Sequence, residues 1–196
     1  MINVVTALLH WLVRAVGLRP YTLEIEPGTV IKFWAPCDAV SKHKPVVVLL
    51  HGFCGDGIIN WHCQVGALTR DYAVYVPDLL FFGGSVTDKA ERSPEFQAEC
   101  LATGLGKLGV EKCVLVGFSY GGFVALKMVE MYAEMVQGVV LPVSVEELKT
   151  LLSVASHLNL SLPNRFYADF LQVSFYSCKP HQFLRISLHL SCFRIN

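Results

Sequence analysis

Ser119 is the residue in this sequence whose flanking residues best fit a catalytic role. It stands at the centre of residues 117–121, Gly-Phe-Ser-Tyr-Gly, between an apolar run at 112–116 and a segment with helical character. A strand, turn and helix in this order expose a serine hydroxyl at the tip of a sharp, strained turn. Gly117 and Gly121 fit because a side chain at either position would crowd the neighbouring strand or helix. The pattern predicts a nucleophile, with a turn serine of no chemical role as the alternative.

Two further loops are expected at the same edge of the sheet. His51 opens a glycine-rich loop directly after the apolar run 45–50, and Asp78 follows the apolar run 72–76. Ligands of open α/β sheets bind at the carboxyl ends of the strands, so these loops should converge with Ser119 on one site. His51 is expected to organise its loop rather than act as a base. Asp78 is expected to hydrogen-bond the turn that follows it.

The elements that carry these loops alternate between strands and helices. Residues 21–26 and 29–35 flank Pro27-Gly28, a pair suited to a type II turn, and are predicted to form an antiparallel hairpin. Short runs that are apolar throughout are typical of a parallel sheet covered on both faces. The elements predicted after the hairpin are strand 45–50, helix 61–70, strand 72–76, helix 93–108, strand 113–116, helix 122–135 and strand 138–141. The fold class is therefore α/β, a doubly wound, mostly parallel sheet opened by the hairpin.

Composition favours a single domain without a nucleic-acid surface. The chain has 196 residues, 53% of them hydrophobic, and its 16 basic residues balance 16 acidic ones. A net charge of zero without a basic run gives no attraction for nucleic acid. The seven cysteines are scattered and form no C-x-x-C pair. We therefore predict reduced thiols in the cytoplasm or nucleus, with no metal and no cofactor.

Residues 1–20 are apolar enough to raise the question of targeting. His10 and Arg14 interrupt the run, and no small-residue cleavage pattern precedes Pro20, so neither a transmembrane span nor a signal peptide is predicted. Apolar side chains recur on one side at helical spacing, at Val5, Leu8, Leu9, Leu12, Val13 and Val16. We expect an amphipathic helix that packs this side on the domain. Contact with a membrane surface is the alternative, disfavoured by the low charge of the helix.

Taken together, the motifs resemble the α/β-hydrolase superfamily. Residues 51–53 (His-Gly-Phe), 78–85 and 117–121 are similar to this family in order and spacing, and 78–85 resembles its plant epoxide-hydrolase-like branch. The resemblance implies Ser119 as the nucleophile and the backbone N–H groups of Phe53 and Tyr120 as an oxyanion hole. It also implies that a small hydrophobic molecule binds at the residues of the two loops nearest the serine, His51, Gly52, Phe53, Phe118 and Tyr120.

Serine at position 119 decides between reaction types within this resemblance. Family members of the epoxide and halide branches carry aspartate there, and that aspartate forms an alkyl ester with the substrate. A serine nucleophile instead suits acyl transfer. The sequence therefore predicts a serine hydrolase that acts on a small hydrophobic ester or a related acyl compound.

A serine hydroxyl needs a base and an acid to become a nucleophile. In the family both follow the serine in the chain. Asp169 lies in a segment with helical character, and His181 and His189 flank a strand-like run at 184–190. These three residues are the acid and base candidates, although no recognisable strand precedes Asp169.

The chain divides into four segments. Residues 1–20 form the amino-terminal helix, 21–141 the first half of the hydrolase core, 142–173 a partial helical cap and 174–196 a tail unlike the family. Completing the sheet would need about three further strand and helix units of roughly 25 residues each. We therefore expect a truncated chain that lacks the carboxyl-terminal strands. The alternative to an active hydrolase is a catalytically inactive truncated form or a ligand-binding fragment.

Overall fold

A computed structural model of the chain describes residues 2–38, 43–53, 55–141 and 164–165. The helices and strands within these ranges are, in chain order, α1 Ile2–Ala15, β1 Leu18–Glu26, β2 Thr29–Pro36, β3 Val46–Leu50, α2 Gly57–Leu68, β4 Ala73–Pro77, β5 Val86–Thr87, α3 Pro94–Lys107, β6 Cys113–Gly117, α4 Tyr120–Met131 and β7 Val136–Val140. The predicted cap at 142–173, apart from residues 164 and 165, and the predicted tail at 174–196 lie outside the described residues.

The described strands form one sheet in the order β1-β2-β4-β3-β6-β7, with β5 paired to β2. β1 and β2 are antiparallel across the turn at Pro27-Gly28, where Gly28 has a φ of +82°, as the predicted type II turn requires. β2 joins β4 in antiparallel fashion, whereas β4, β3, β6 and β7 run parallel. The predicted doubly wound, mostly parallel sheet with its amino-terminal hairpin is confirmed.

Alternate residues of the central strand β3 face two hydrophobic clusters, one on each side of the sheet. Val47 and Leu49 pack in the cluster that holds residues of α1 and α2, whereas Val48 and Leu50 pack in the cluster that holds residues of α3 and α4. All four are at most 1% exposed. A strand that is apolar throughout is thus buried on both faces, as the sequence predicted. The carboxyl ends of β4, β3 and β6 lie side by side in the middle of this arrangement.

α1 confirms the predicted amino-terminal helix but not the predicted packing of its apolar side. Val13 is buried and Leu9 packs beside it, on the side that contacts α2 and β1. Leu8, Leu12 and Val16, in contrast, are 56%, 44% and 37% exposed. The apolar arc is wider than the strip of helix that the domain covers, so part of it faces outward. Among the described helices, none is both long enough and apolar enough to cross a membrane.

Local capping and tertiary pairing account for two other differences from the prediction. α2 begins four residues earlier than predicted, because the Asp56 carboxylate accepts a hydrogen bond from the Ile59 N–H at 2.8 Å. β5 was not predicted, since its two residues pair with β2 without any local pattern. The predicted cap of α3 is confirmed, as the Ser93 side chain accepts from the Phe96 N–H at 3.2 Å.

Two cysteines in the core are free thiols. Burial raises the pKa of the Cys100 thiol to about 11 and that of the Cys113 thiol to about 12. The thiolate is the reactive form of cysteine, so both side chains are inert at neutral pH.

The packing of α3 on β2 provides a matched pair of substitutions. A Cβ at Gly104 would lie 2.7 Å from Phe33 Cε2, whereas a Cβ at Gly106 would meet nothing within 4 Å. Both alanine substitutions gain about 1 kcal/mol of helix propensity, and Gly104→Ala alone adds overpacking of about 1 to 3 kcal/mol. We expect the free energy of unfolding of Gly104→Ala to be lower than that of Gly106→Ala by about 1 to 3 kcal/mol. Urea denaturation of the two variants measures this difference. Equal stabilities of the two variants would contradict this packing.

Candidate active site

Ser119 lies at the turn between β6 and α4 in a backbone conformation that is unusual for a residue with a side chain. Its φ is +53° and its ψ is −119°. Backbone strain of this kind costs about 1 to 3 kcal/mol. Ser119 occupies the N-cap position of α4, yet its side chain makes no capping hydrogen bond. The hydroxyl is therefore left for other partners, at the positive end of the helix dipole.

Gly117 and Gly121 allow the turn to be this tight. A Cβ at Gly117 would lie 2.7 Å from the Cα of Gly122, and a Cβ at Gly121 would lie 2.6 Å from the carbonyl oxygen of His51. Both obstructing atoms belong to the backbone, which cannot rotate out of the way as a flexible side chain could. The prediction that side chains would crowd both positions is confirmed.

The loop after β3 touches the Ser119 turn directly. A Cβ built on Gly52 would lie 3.2 Å from Ser119 Cβ and 3.0 Å from Phe118 Cδ1. The structure thus brings residues 51–53 and the serine together. Within the described part of the chain, the backbone N–H groups of Phe53 and Tyr120 have no hydrogen-bond acceptor. Both groups are therefore free to donate to a ligand.

His51 is held as a neutral ring by backbone groups on two loops. Its Nδ1 donates to the Gly52 carbonyl at 2.7 Å, and its Nε2 accepts from the Leu79 N–H at 2.8 Å. The ring is fully buried, and this burial lowers the pKa of His51. Because Nε2 is occupied, the ring cannot take a proton from Ser119. His51 organises its loop, as the sequence indicated, and its predicted contact with a substrate could come only from its backbone.

Asp78 ties the loop after β4 to the start of α2. Its buried carboxylate accepts from the Gly57 N–H at 3.0 Å and from the Gly84 N–H at 2.9 Å, and Lys32 Nζ lies 3.5 Å away. The Ser85 hydroxyl donates to the Asp78 carbonyl oxygen at 2.6 Å. The carboxylate is engaged by backbone N–H groups, so Asp78 has the turn-forming role that the sequence indicated.

Gln97 of α3 supports the same loop and was missed by sequence reasoning. Its side chain is 1% exposed, accepts from the Leu80 N–H at 2.9 Å and donates to the Leu80 carbonyl at 3.1 Å. Together with the contact of His51 to Leu79, this amide holds the backbone after β4 in place. No motif marks Gln97, because its partner is the backbone of a residue 17 positions earlier.

Three aromatic rings form a wall beside Ser119. Phe53 meets Phe82 at a centroid distance of 5.3 Å and Tyr120 at 6.1 Å, both edge to face. The Tyr120 hydroxyl donates to the Arg92 carbonyl at 3.3 Å, which fixes that ring. Phe53 is 73% exposed. An exposed ring supported by fixed neighbours offers a surface to an apolar ligand.

The predicted acid and base candidates, Asp169, His181 and His189, lie outside the described residues. In the part of the chain that is described, no imidazole or carboxylate is hydrogen-bonded to the Ser119 hydroxyl. The same residues contain no group of three histidine, cysteine, aspartate or glutamate side chains that could hold a metal ion. The described site supplies a serine, two N–H donors and an aromatic wall.

A doubly wound, mostly parallel sheet with a strained turn between β6 and α4 is typical of α/β hydrolases. Residues 45–184 match the family described as alpha/beta hydrolase fold. The chain belongs to the α/β-hydrolase family.

Two curated relatives and a solved structure illustrate the relationship. The chain is similar to epoxide hydrolase 4 of Homo sapiens, 34% identical over 102 residues that make up 50% of this chain and 27% of that protein. It is also similar to 1-acylglycerol-3-phosphate O-acyltransferase ABHD5 of Sus scrofa, 38% identical over 89 residues, 43% of this chain and 25% of that protein. A bacterial membrane phospholipase A shares the fold at a TM-score of 0.61 and 22% identity, covering 88% of this chain and 63% of that one. The match spans about a quarter of the length of these curated relatives.

The buried neutral ring of His51 predicts a loss of stability in mild acid. Below the ordinary pKa of 6.5, the unfolded chain binds a proton at this residue that the folded chain does not. The contribution of the neutral His51 ring to the free energy of unfolding is therefore fully present above pH 6.5. Below pH 6.5, the free energy of unfolding falls by up to about 1.4 kcal/mol per pH unit. His10, whose pKa is also lowered by burial, adds to the slope. Urea denaturation at a series of pH values measures the slope of the free energy of unfolding against pH.

Two variants separate the contributions of these histidines. His51→Gln should be less stable than the wild type at neutral pH, and its free energy of unfolding should decline less steeply in acid. His10→Gln should lose only the part of the acid decline that comes from His10. An acid decline of the same slope in His51→Gln and in the wild type would contradict the role assigned to the buried ring.

Proposed function

We propose that the chain is a serine hydrolase that acts on a small hydrophobic ester or a related acyl compound. The observation that carries this proposal is the strained position of Ser119, whose side chain caps nothing and lies against the loop at Gly52. A turn residue with no chemical role would adopt this φ with less strain as glycine. Strained residues of this kind cluster at active sites, where the surrounding structure holds them.

In the proposed reaction, the Ser119 oxygen forms a bond to the acyl carbon and the carbonyl oxygen becomes negative. The N–H groups of Phe53 and Tyr120 donate to this oxygen, and each such donor lowers the barrier by about 3 to 4 kcal/mol. The intermediate then expels an alcohol, which takes up the proton that left the serine. Water cleaves the resulting acyl-enzyme ester and regenerates the hydroxyl.

The proton of Ser119 must pass through a base. We retain Asp169 as the proposed acid and His181 and His189 as the proposed bases. His51 is excluded from this role, because its Nε2 accepts the N–H of Leu79.

Ester cleavage is proposed in preference to epoxide opening. Attack of a serine oxygen on an epoxide carbon would leave an ether, which water does not cleave, so the nucleophile would be lost after one turnover. Attack on an acyl carbon leaves an ester, which water can cleave. The similarity to human epoxide hydrolase 4 supports a place near the epoxide-hydrolase-like branch, for which we propose plant-type members as the nearest group.

The proposed partner is a small hydrophobic molecule without a cofactor. The exposed aromatic ring of Phe53 supports an apolar acyl or alcohol group at the serine. The buried free thiols of Cys100 and Cys113 support a reducing compartment, which we propose to be the cytoplasm or nucleus.

A fluorophosphonate probe tests the nucleophile. Its phosphorus forms a bond to an activated serine oxygen as fluoride leaves, so we expect the folded chain to be labelled and Ser119→Ala to remain unlabelled. Ser93→Ala is the matched control, because it removes the serine at the N-cap of α3 and should label like the wild type. A folded wild-type chain that takes up no label would overturn the proposal and favour a ligand-binding role.

Phe53→Ala tests the aromatic wall. The residue is 73% exposed, so its truncation should leave stability nearly unchanged. An aromatic pair contributes about 0.5 to 1.5 kcal/mol, so the preference for benzoyl over acetyl esters of the same alcohol, as a ratio of kcat/KM values, should fall about two- to thirteenfold. Val86→Ala, at a side chain that is 59% exposed, is the control and should keep the ratio. An unchanged ratio of kcat/KM values in Phe53→Ala would show that the Phe53 ring is not part of the binding surface.

A further inference from the structure

α1 carries an apolar stripe on the side that faces away from the domain. Leu8, Trp11 and Leu12 are 56%, 62% and 44% exposed, and Val16, just beyond the helix, is 37% exposed. Spacings of three and four residues put these side chains on one face of the helix. Contiguous large apolar side chains that face solvent mark an interaction surface.

The opposite side of α1 is fixed to the domain. Val13 is 2% exposed, and the His10 ring lies 4.8 Å from the ring of the buried Trp34. Arg14 Cζ lies 5.7 Å from the centre of the same ring. These contacts prevent the helix from turning over to bury its outer face. The stripe is thus a lasting feature of the folded surface.

The segment that holds the stripe carries charges of one sign. Residues 1–20 contain Arg14 and Arg19 and no aspartate or glutamate, although the whole chain is neutral. Arg19 Nη1 donates to the Arg14 backbone carbonyl at 2.8 Å, which holds the Arg19 guanidinium at the carboxyl end of α1. The acidic Asp38 lies beyond the helix, where a Cβ built on Gly17 would be 3.8 Å from its Oδ2. Attraction to an anionic surface is therefore local to this helix.

We propose that α1 docks the protein on an anionic membrane surface, with Leu8, Trp11 and Leu12 inserted at the level of the lipid headgroups. The helix has 14 residues, or about 21 Å, which is short of the roughly 30 Å hydrocarbon core, so it lies in the plane of the surface. Tryptophan favours this interface, and the exposed Arg14 and Arg19 at the carboxyl end of α1 add attraction to the lipid phosphates. A second copy of the chain fits the face less well, because it would bring two cationic helices together.

Trp11 provides a direct reporter of docking. The chain has three tryptophans, and the other two, Trp34 and Trp61, are 1% and 0% exposed. Quenching by acrylamide therefore reports on Trp11 almost alone. With vesicles of phosphatidylcholine and phosphatidylserine, we expect the emission to shift to shorter wavelength and quenching to fall. Vesicles of phosphatidylcholine alone should bind about fivefold more weakly for each of the two arginines.

Variants of the full chain test the two parts of the surface by co-sedimentation with the anionic vesicles. Leu8→Ser and Leu12→Ser should each weaken binding about tenfold, and Arg14→Gln combined with Arg19→Gln should remove the preference for phosphatidylserine. Met131→Ser, at a 42% exposed side chain on α4, is the matched control and should bind like the wild type. Circular dichroism confirms that the variants are folded.

Several outcomes would overturn the proposal. Wild-type chain that binds no vesicles, or Leu8→Ser and Leu12→Ser variants that bind as the wild type does, would show that the stripe is not a lipid surface. Protection of Trp11 that rises with protein concentration in the absence of lipid, with a dimer in sedimentation velocity, would assign the face to a second copy. Labelling of Ser119 is independent of all these results, so the two proposals fail separately.

Discussion

The first turn of α4 lies against the end of β3 with no room for a side chain between them. The backbone of Gly121 meets the carbonyl oxygens of Leu50 and His51, which are themselves fixed by a strand buried between two helical layers. This steric limit, rather than any attractive contact, sets the angle at which the chain reverses after β6. Ser119 has a positive φ because the chain must pass through that angle. The large burial of the sheet outweighs the strain of about 1 to 3 kcal/mol at one residue.

Around this turn, buried polar side chains hold the backbone of the adjoining loops. His51, Asp78 and Gln97 each reach N–H groups of the segment after β4 or of the start of α2. A buried polar group that lost its partner would leave a desolvated donor or acceptor behind, so these contacts favour a single arrangement of the loops. The segment after β4 and the start of α2 are thereby held in one arrangement beside the Ser119 turn.

Most of the fold could be predicted because its signals are local. Runs such as Val46–Leu50 are apolar on both faces, and glycines at 117 and 121 permit a turn too close for side chains, so sheet, hairpin and elbow follow from short segments. The structure differs from the prediction where contacts between distant parts of the chain determine the outcome. The outward face of α1 depends on how much of the helix the domain covers, and Gln97 depends on a loop that reaches it from 17 residues away.

A continuous series of contacts connects α1 with the loops of the site. The His10 ring packs on Trp34, Lys32 Nζ lies 5.6 Å from the centre of that same ring, and Lys32 pairs with the Asp78 carboxylate. The outer helix is therefore linked to the inner loops through a series of neighbouring side chains. If α1 rests on a lipid surface, the site keeps a set height and tilt above it, and the molecule retains only lateral diffusion and rotation about the membrane normal. Its encounters with hydrophobic molecules would then take place in two dimensions rather than three.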